Sequence, residues 1–199
     1  MIFLLLGKLG YCQDEVVEKP EPPDFKLFRA EENYNYLKDK ENNPYQDDYM
    51  DAIKFISLNH SRNINLRFGG EIRSRIEHYT NRRWTKEDET FYSQRLSLHT
   101  NINIGNYIKV FGELYHGLVS KEAEFAESDK LNLHQAFIAF KIPFNDKQNL
   151  DIRFGRQELA LGSARLIGLR EGLNIRRSFD MGRMHVSCES SQKKPKLHM

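Results

Sequence analysis

The chain has almost no cysteine: Cys12 and Cys188 are its only two in 199 residues, and they lie near opposite ends. That spacing argues against a disulfide framework, and no Cys-x-x-Cys or Cys/His grouping offers a zinc site. Long apolar runs are missing as well. The longest is Met1–Leu6, whereas a helical membrane span takes about 20 residues, so membrane helices are excluded. Charge of one sign is also lacking. With 30 Lys+Arg against 28 Asp+Glu and a pI near 8.4, the chain falls short of the domain pI above about 9 usual for nucleic-acid binding. Catalytic signatures are absent too: there is no G-x-S-x-G, H-E-x-x-H, P-loop or G-x-G-x-x-G, and the seven histidines show no ligand spacing. Neither an enzyme, a cofactor, a metal nor a nucleic-acid partner is expected.

What is present is unevenly distributed. Residues 1–60 hold 7 Lys+Arg and 12 Asp+Glu, a balance of −5, while residues 61–180 hold 19 and 15, a balance of +4. The apolar start, followed by Gly7, Gly10 and Tyr11, predicts a secretory signal over 1–13, with a missing positive leader that suggests a longer one. A lipoprotein reading through Cys12 and a buried first strand are the alternatives. Asp14–Pro23 is a Pro- and Glu-rich linker, and the whole of 14–60 reads as a periplasmic leader.

From Asn63 the pattern has period two, the signature of strands with two unlike faces. Leu66, Phe68, Ile72 and Ile76 alternate with Arg67, Glu71, Arg73, Arg75 and Glu77. Leu96, Leu98, Ile102 and Ile104 alternate with Arg95 and His99. Val110, Leu114 and Leu118 alternate with Lys109, Glu113 and Tyr115. Leu131–Pro143 gives a fourth strand, with Ala136, Ile138, Phe140 and Ile142 on the apolar face. Leu150, Ile152 and Phe154 against Asp151 and Arg153 begin a fifth, and Asn174–Phe179 supplies a poorly patterned sixth. The connections run long, short, long, short, long, as in an up-and-down barrel whose two ends face different compartments.

Such strands build either a soluble β-domain binding carbohydrate or a partner along an edge, or a wall that crosses a membrane. Strand lengths near the ~9–11 residues that span a bilayer at a tilt favour the wall. So do polar faces carrying both charge signs, and Tyr79, Trp84, Phe91, Tyr92, Tyr107 and Phe144 at strand ends, where aromatic girdles lie. The fold expected over 61–180 is therefore all-β: an antiparallel transmembrane barrel represented by its first six or so strands. Because membrane barrels close with about eight or more, the chain reads as a fragment, with 181–199 an unrelated polar tail.

Two segments carry a resemblance. Leu66–Tyr79 has a Gly-Gly-Glu-x-Arg-x-Arg-x-Glu core. Phe154–Asp180 (FGRQELALGSARLIGLREGLNIRRSFD) runs from Gly-Arg-Gln through Arg-Leu-x-Gly to Arg-x-Ser-Phe-Asp. With LFRAEENYNYLKDK and IKFISLN in the leader, the chain resembles the alginate-export family of bacterial outer-membrane β-barrel porins. Met181 departs from the glycine that usually follows Phe-Asp. The resemblance implies outer-membrane lipid, the barrel-assembly machinery and an anionic uronate polysaccharide as partners. Carried onto these residues, it makes Arg67, Arg73, Arg75, Arg95, Lys109 and Arg153 lumen groups for anions. Glu71, Glu77, Glu113 and Asp151 are their acidic neighbours on the same faces. Arg156 breaks the alternation, so a bulge at Gly155 turns it inward or it sits at headgroup level. Arg165, Arg170, Arg176 and Arg177 belong to a pore mouth, an inward constriction or a site for lipopolysaccharide phosphates.

Overall fold

The computed structural model describes residues 20–39, 41–81, 84, 88–120, 128–145 and 148–188. The expected signal at 1–13 and the last residues of the expected tail lie outside that set. After two short 3-10 turns, Arg29–Glu31 and Asn35–Lys38, a one-turn helix α1 (Asp51–Lys54) leads into the two-residue strand β1 (Ile56–Ser57). Six long strands follow: β2 (Ile64–Tyr79), β3 (Glu89–Ile104), β4 (Ile108–Val119), β5 (Asp129–Asn145), β6 (Gln148–Gln157) and β7 (Phe179–Cys188). All pair antiparallel with their chain neighbours in one open sheet, ordered β1 to β7. The sheet is all-β and up-and-down, as the alternation predicts, and its strands reach 16 and 17 residues. Among the described residues no helix is long and apolar enough to cross a membrane.

The last strand corrects the sequence reading. Asn174–Phe179 is not a strand apart from its final residue, and β7 begins at Phe179 and continues into the supposed tail as far as Cys188. It pairs register-true with β6, from Gln157↔Phe179 to Gln148↔Cys188. The alternation there is real but weak in apolar character. Gly182, Met184 and Val186 share the parity of Phe154, while Met181, Arg183 and His185 share that of Arg153.

Burial across the sheet runs opposite to that of a water-soluble protein. Ile72 and Ile76 are 73% and 75% exposed, whereas Arg95, their neighbour on the other face, is 1% exposed. Phe68, Leu98, Leu133, Phe154, Met184 and Val186 are likewise exposed on the apolar face. Withholding a large aliphatic side chain from an apolar environment forgoes ~1.5–3 kcal/mol, and a contiguous apolar surface of this kind marks an interface. The packed apolar core is correspondingly small: Ala30, Phe111, Phe137 and Ala139. Most of what covers the polar face is chain, not solvent. Residues 26–38 lie over one end, and residues 158–178, the β6–β7 connection, fold inward over the other.

Local chemistry explains the inward fold. Gly117 faces Ile175, whose Cδ1 occupies the space a Cβ at 117 would need. Asn174 is fully buried, and its Nδ2 donates to Gln94 O at 3.1 Å and to Leu118 O at 3.3 Å. Of the aromatics expected at strand ends, Trp84, Tyr92, Tyr107 and Phe144 are exposed, and Tyr79, also exposed, has the parity of the polar face. Phe91 is the exception, buried on the polar face and stacked on Tyr79 with centroids 5.5 Å apart.

Candidate functional site

The polar face gathers all six arginine and lysine positions expected to face a lumen, and each meets a partner from a covering segment or a neighbouring strand. Arg67 donates to Glu32 O at 2.7 Å and Arg29 O at 3.0 Å. Lys109 donates to Ala30 O at 2.8 Å. Arg73 reaches Leu173 O at 2.8 Å, and Arg75 reaches Gly172 O at 2.6 Å and Glu77 at 2.8 Å. Arg95 donates to Glu71 at 2.5 Å, and Arg153 to Asp151 at 2.8 Å. The arginines thus fasten residues 26–38 and 158–178 to the wall through carbonyls, as their fork of donors permits.

The expected acidic neighbours lie on the same face. Glu71 also accepts from Arg29 at 3.0 Å, Glu77 accepts from the Tyr79 hydroxyl at 3.0 Å, and Glu113 accepts from Gln135 at 2.6 Å. The leader carries its own titration. Burial and the Glu32 carboxylate push the Tyr34 phenol above its ordinary value.

The β6–β7 arginines separate. Arg176 is buried in the inward segment, with Nε 2.5 Å from Glu171, Nη1 3.3 Å from Glu158 and Nη2 donating to Leu27 O at 2.9 Å. Burial lowers its affinity for a proton, but Glu158, Tyr115 and Glu171 outweigh that and raise it. It therefore ties the β6–β7 connection to the leader and to Glu158 on the polar side of the sheet. Arg165 and Arg170 are exposed in turns, and Arg177 is half-buried with its backbone N–H on Leu169 O. Arg156 stays on the outer face. Gly155 adopts φ +125°, where a Cβ would collide with Ala136 O, yet the β5–β6 register is continuous there, so no bulge turns Arg156 inward. It forms a two-pronged pair with Asp180 at 2.8 and 2.9 Å.

Sequence reasoning missed Arg183, Glu31, Glu171, His134 and Glu158. Arg183 was hidden in the supposed tail. His134 has the parity of the apolar residue Ala136, but the β4–β5 register shifts between Glu113 and Leu114, so that His134 and Gln135 are both buried on the polar side. The one available signal was the His-Gln pair in an otherwise apolar run.

Toward the short turns, the leader, the strands and the start of the β6–β7 connection enclose a cleft of about 1220 Å³. Its cations are Lys26, Lys54, Arg67, Lys109, Lys141, Arg153 and Arg183, seven against the three acids Glu31, Glu32 and Asp151. The sheet thus turns an apolar face outward, and its charged face, covered by chain, carries a cationic cleft.

The family model for alginate export matches residues 64–193. This chain belongs to the alginate export family. That family is one of outer-membrane transport proteins rather than enzymes. No curated protein and no solved structure gives a match. The matched range takes in β7 whole, which reinforces the correction at the supposed tail: in this alginate-export protein the wall continues past Asp180.

Proposed function

We propose that this alginate-export protein forms part of the wall of an outer-membrane channel that conducts anionic polysaccharides of the uronate type. The observation that carries the reading is the cationic excess in the cleft on the polar face, seven cations to three acids. Rings of Arg and Lys select anions, and each uronate residue presents a carboxylate to which Arg and Lys donate charge-assisted hydrogen bonds. In outer-membrane barrels the short turns lie on the periplasmic side, so the cleft, lined by Gly105, Asn106 and Pro143, faces the compartment from which an exported polymer arrives. Lys109, Arg153 and Arg183 are the groups offered to it, while Arg67, 3% exposed, holds the leader in place. Arg73, Arg75, Arg95 and Arg176 work differently, holding the inward segment that narrows the passage.

The exposed apolar face weighs against the other reading, a detergent-free periplasmic β-domain, because Ile72 and Ile76 would then stand in water. Two measurements test the proposal. Membrane fractionation places the full chain in the outer membrane, and recovery as a soluble monomer overturns the reading. Titration of the detergent-solubilised protein with uronate oligomers shows binding that weakens with salt and drops in Lys109→Gln and Arg183→Gln. Equal binding of neutral oligosaccharides of the same length also overturns it.

A further inference from the structure

We infer that Glu113, His134 and Glu158 form a binding site for one divalent transition cation of the zinc class, placed at the root of the inward segment. The three residues come from β4, β5 and the first position after β6, and all are buried, at 1%, 2% and 4% exposure. One ligand atom from each lies within 4.8 Å of the others. His134 Nε2 is 3.0 Å from Glu158 Oε1. Tetrahedral zinc with bonds of ~2.0–2.2 Å holds neighbouring ligand atoms about 3.3 Å apart, so the His134–Glu158 pair opens slightly and atoms as far as 4.8 Å apart close in around the ion.

Two independent observations point to a ligand at this place. Glu113 Oε1 and Glu158 Oε2 are buried with no hydrogen-bond partner among the described residues. A buried carboxylate oxygen without a donor is destabilising, and a bound cation relieves it. Second, His134 reaches this place only because of the β-bulge. Strict alternation from Ala136 would send it to the apolar face, and bulges commonly re-aim a side chain beside a site.

The surroundings brace the ligands as metal sites require. Gln135 joins the two carboxylate residues, its Nε2 donating to Glu113 Oε2 at 2.6 Å and its Oε1 accepting from the Glu158 backbone N–H at 3.1 Å. The His134 ring stacks on Tyr115, with centroids 3.9 Å apart and planes 11° from parallel. Arg176 is the competing cation at 3.3 Å from Glu158, and Glu171 with Leu27 O retains it when the metal takes that oxygen. With His neutral, two glutamates and Arg176 leave one net negative charge for the ion to meet. The imidazole selects zinc-class metals over calcium and magnesium, which prefer all-oxygen shells. The bound ion fastens the start of residues 158–178 to two strands of the wall.

The test uses the full detergent-solubilised chain, stripped with chelator and titrated with Zn²⁺, Ca²⁺ and Mg²⁺, with metal content read by mass spectrometry. One equivalent of zinc is expected, raising the melting temperature and slowing proteolysis within 158–178. His134→Asn and the double variant Glu113→Gln/Glu158→Gln lose the equivalent, and Gln135→Leu weakens it by about 10- to 100-fold. Circular dichroism reports whether each variant keeps its sheet. Absence of stoichiometric zinc and of a zinc-dependent melting shift in the unaltered chain overturns the proposal without reference to any variant. Zinc binding unchanged in a folded His134→Asn overturns it equally.

Discussion

Arg153 and Arg183 are register partners on adjacent strands, and a single oxygen of Glu31 lies 3.5 Å from one and 3.9 Å from the other. The same arrangement recurs at the other end of the sheet. Arg73 and Arg95 face each other across β2 and β3, with Glu171 Oε1 3.8 and 3.6 Å away. Like charges directly opposite destabilise a sheet. In both places the remedy is a glutamate delivered from outside the strands, one from the leader and one from the inward segment. The wall's cations therefore determine where the covering segments dock.

Glu31→Gln removes the carboxylate shared by Arg153 and Arg183. The leader is expected to dock less firmly, by ~0.5–1 kcal/mol for a partly exposed pair, and to be cut a few-fold faster over 26–38 in limited proteolysis. Arg183→Gln in the same chain relieves the repulsion and restores part of the protection. An unchanged cleavage rate in the single variant contradicts the docking role.

Gly117→Ala puts a methyl group where Ile175 Cδ1 sits. Overpacking of this kind costs ~1–3 kcal/mol, and the strain falls on the inward segment because Gly117 is held in the β3–β4 ladder opposite Arg95. Faster proteolysis within 158–178, with the sheet's circular dichroism intact, is the expected result. Ile175→Ala in the same chain opens the space again, so the two changes are non-additive in a double-mutant cycle.

Ile72→Lys separates lipid from water on the outer face. The side chain lies mid-strand and is 73% exposed, so in water the change is worth less than ~0.5 kcal/mol. In a bilayer a lysine on the lipid face costs ~2–4 kcal/mol near the midplane. The fraction inserted into vesicles across a urea series is expected to shift accordingly. No difference between Ile72→Lys and unaltered chain in lipid speaks for an aqueous outer face.

The leader's acid sensitivity centres on Asp48 and Lys54, joined at 2.5 Å. The Lys54 hydrogen bond, followed by that from the Met50 N–H, holds the Asp48 carboxyl below its ordinary value. Its contribution is thus fully present above the unfolded carboxylate range near ~3.9 and is lost as pH falls through the lower folded value. Lys54 is raised: burial lowers it, but Asp48 and Asp51 outweigh that. Its contribution persists below ~10.4 and disappears as pH rises through the folded value. Hydrogen exchange of the α1 amides is expected to be slow between those limits and to quicken in acid. Asp48→Asn removes the acid step and weakens the alkaline one as well, because Asp48 supplies the two largest upward pulls on Lys54.

Much of the wall is legible in the sequence. Periodicity puts Arg67, Arg73, Arg75, Arg95, Lys109 and Arg153 on one face and Ile72, Ile76, Leu98 and Phe154 on the other, because side chains on a strand alternate wherever the ladder is regular. The Gly-Arg-Gln to Ser-Phe-Asp stretch marks the family. Period-two reasoning fails at β7, whose outer positions Gly182, Met184 and Val186 are too weakly apolar to stand out until β6 lies beside them.

The two faces and the order of the strands are written in the chain itself, since both follow from local side-chain alternation and short-range turns. What the charged face touches is settled only when the segments close on one another. A one-residue register shift brings His134 beside Glu113 and Glu158, and the fit of Ile175 at Gly117 draws Arg176 inward. Glu31 and Glu171 reach arginine pairs contributed by strands remote in sequence. Arg176 and Leu27, 149 residues apart, meet in the same way. Such contacts depend on the docking of whole segments, and no alternation within a strand encodes them.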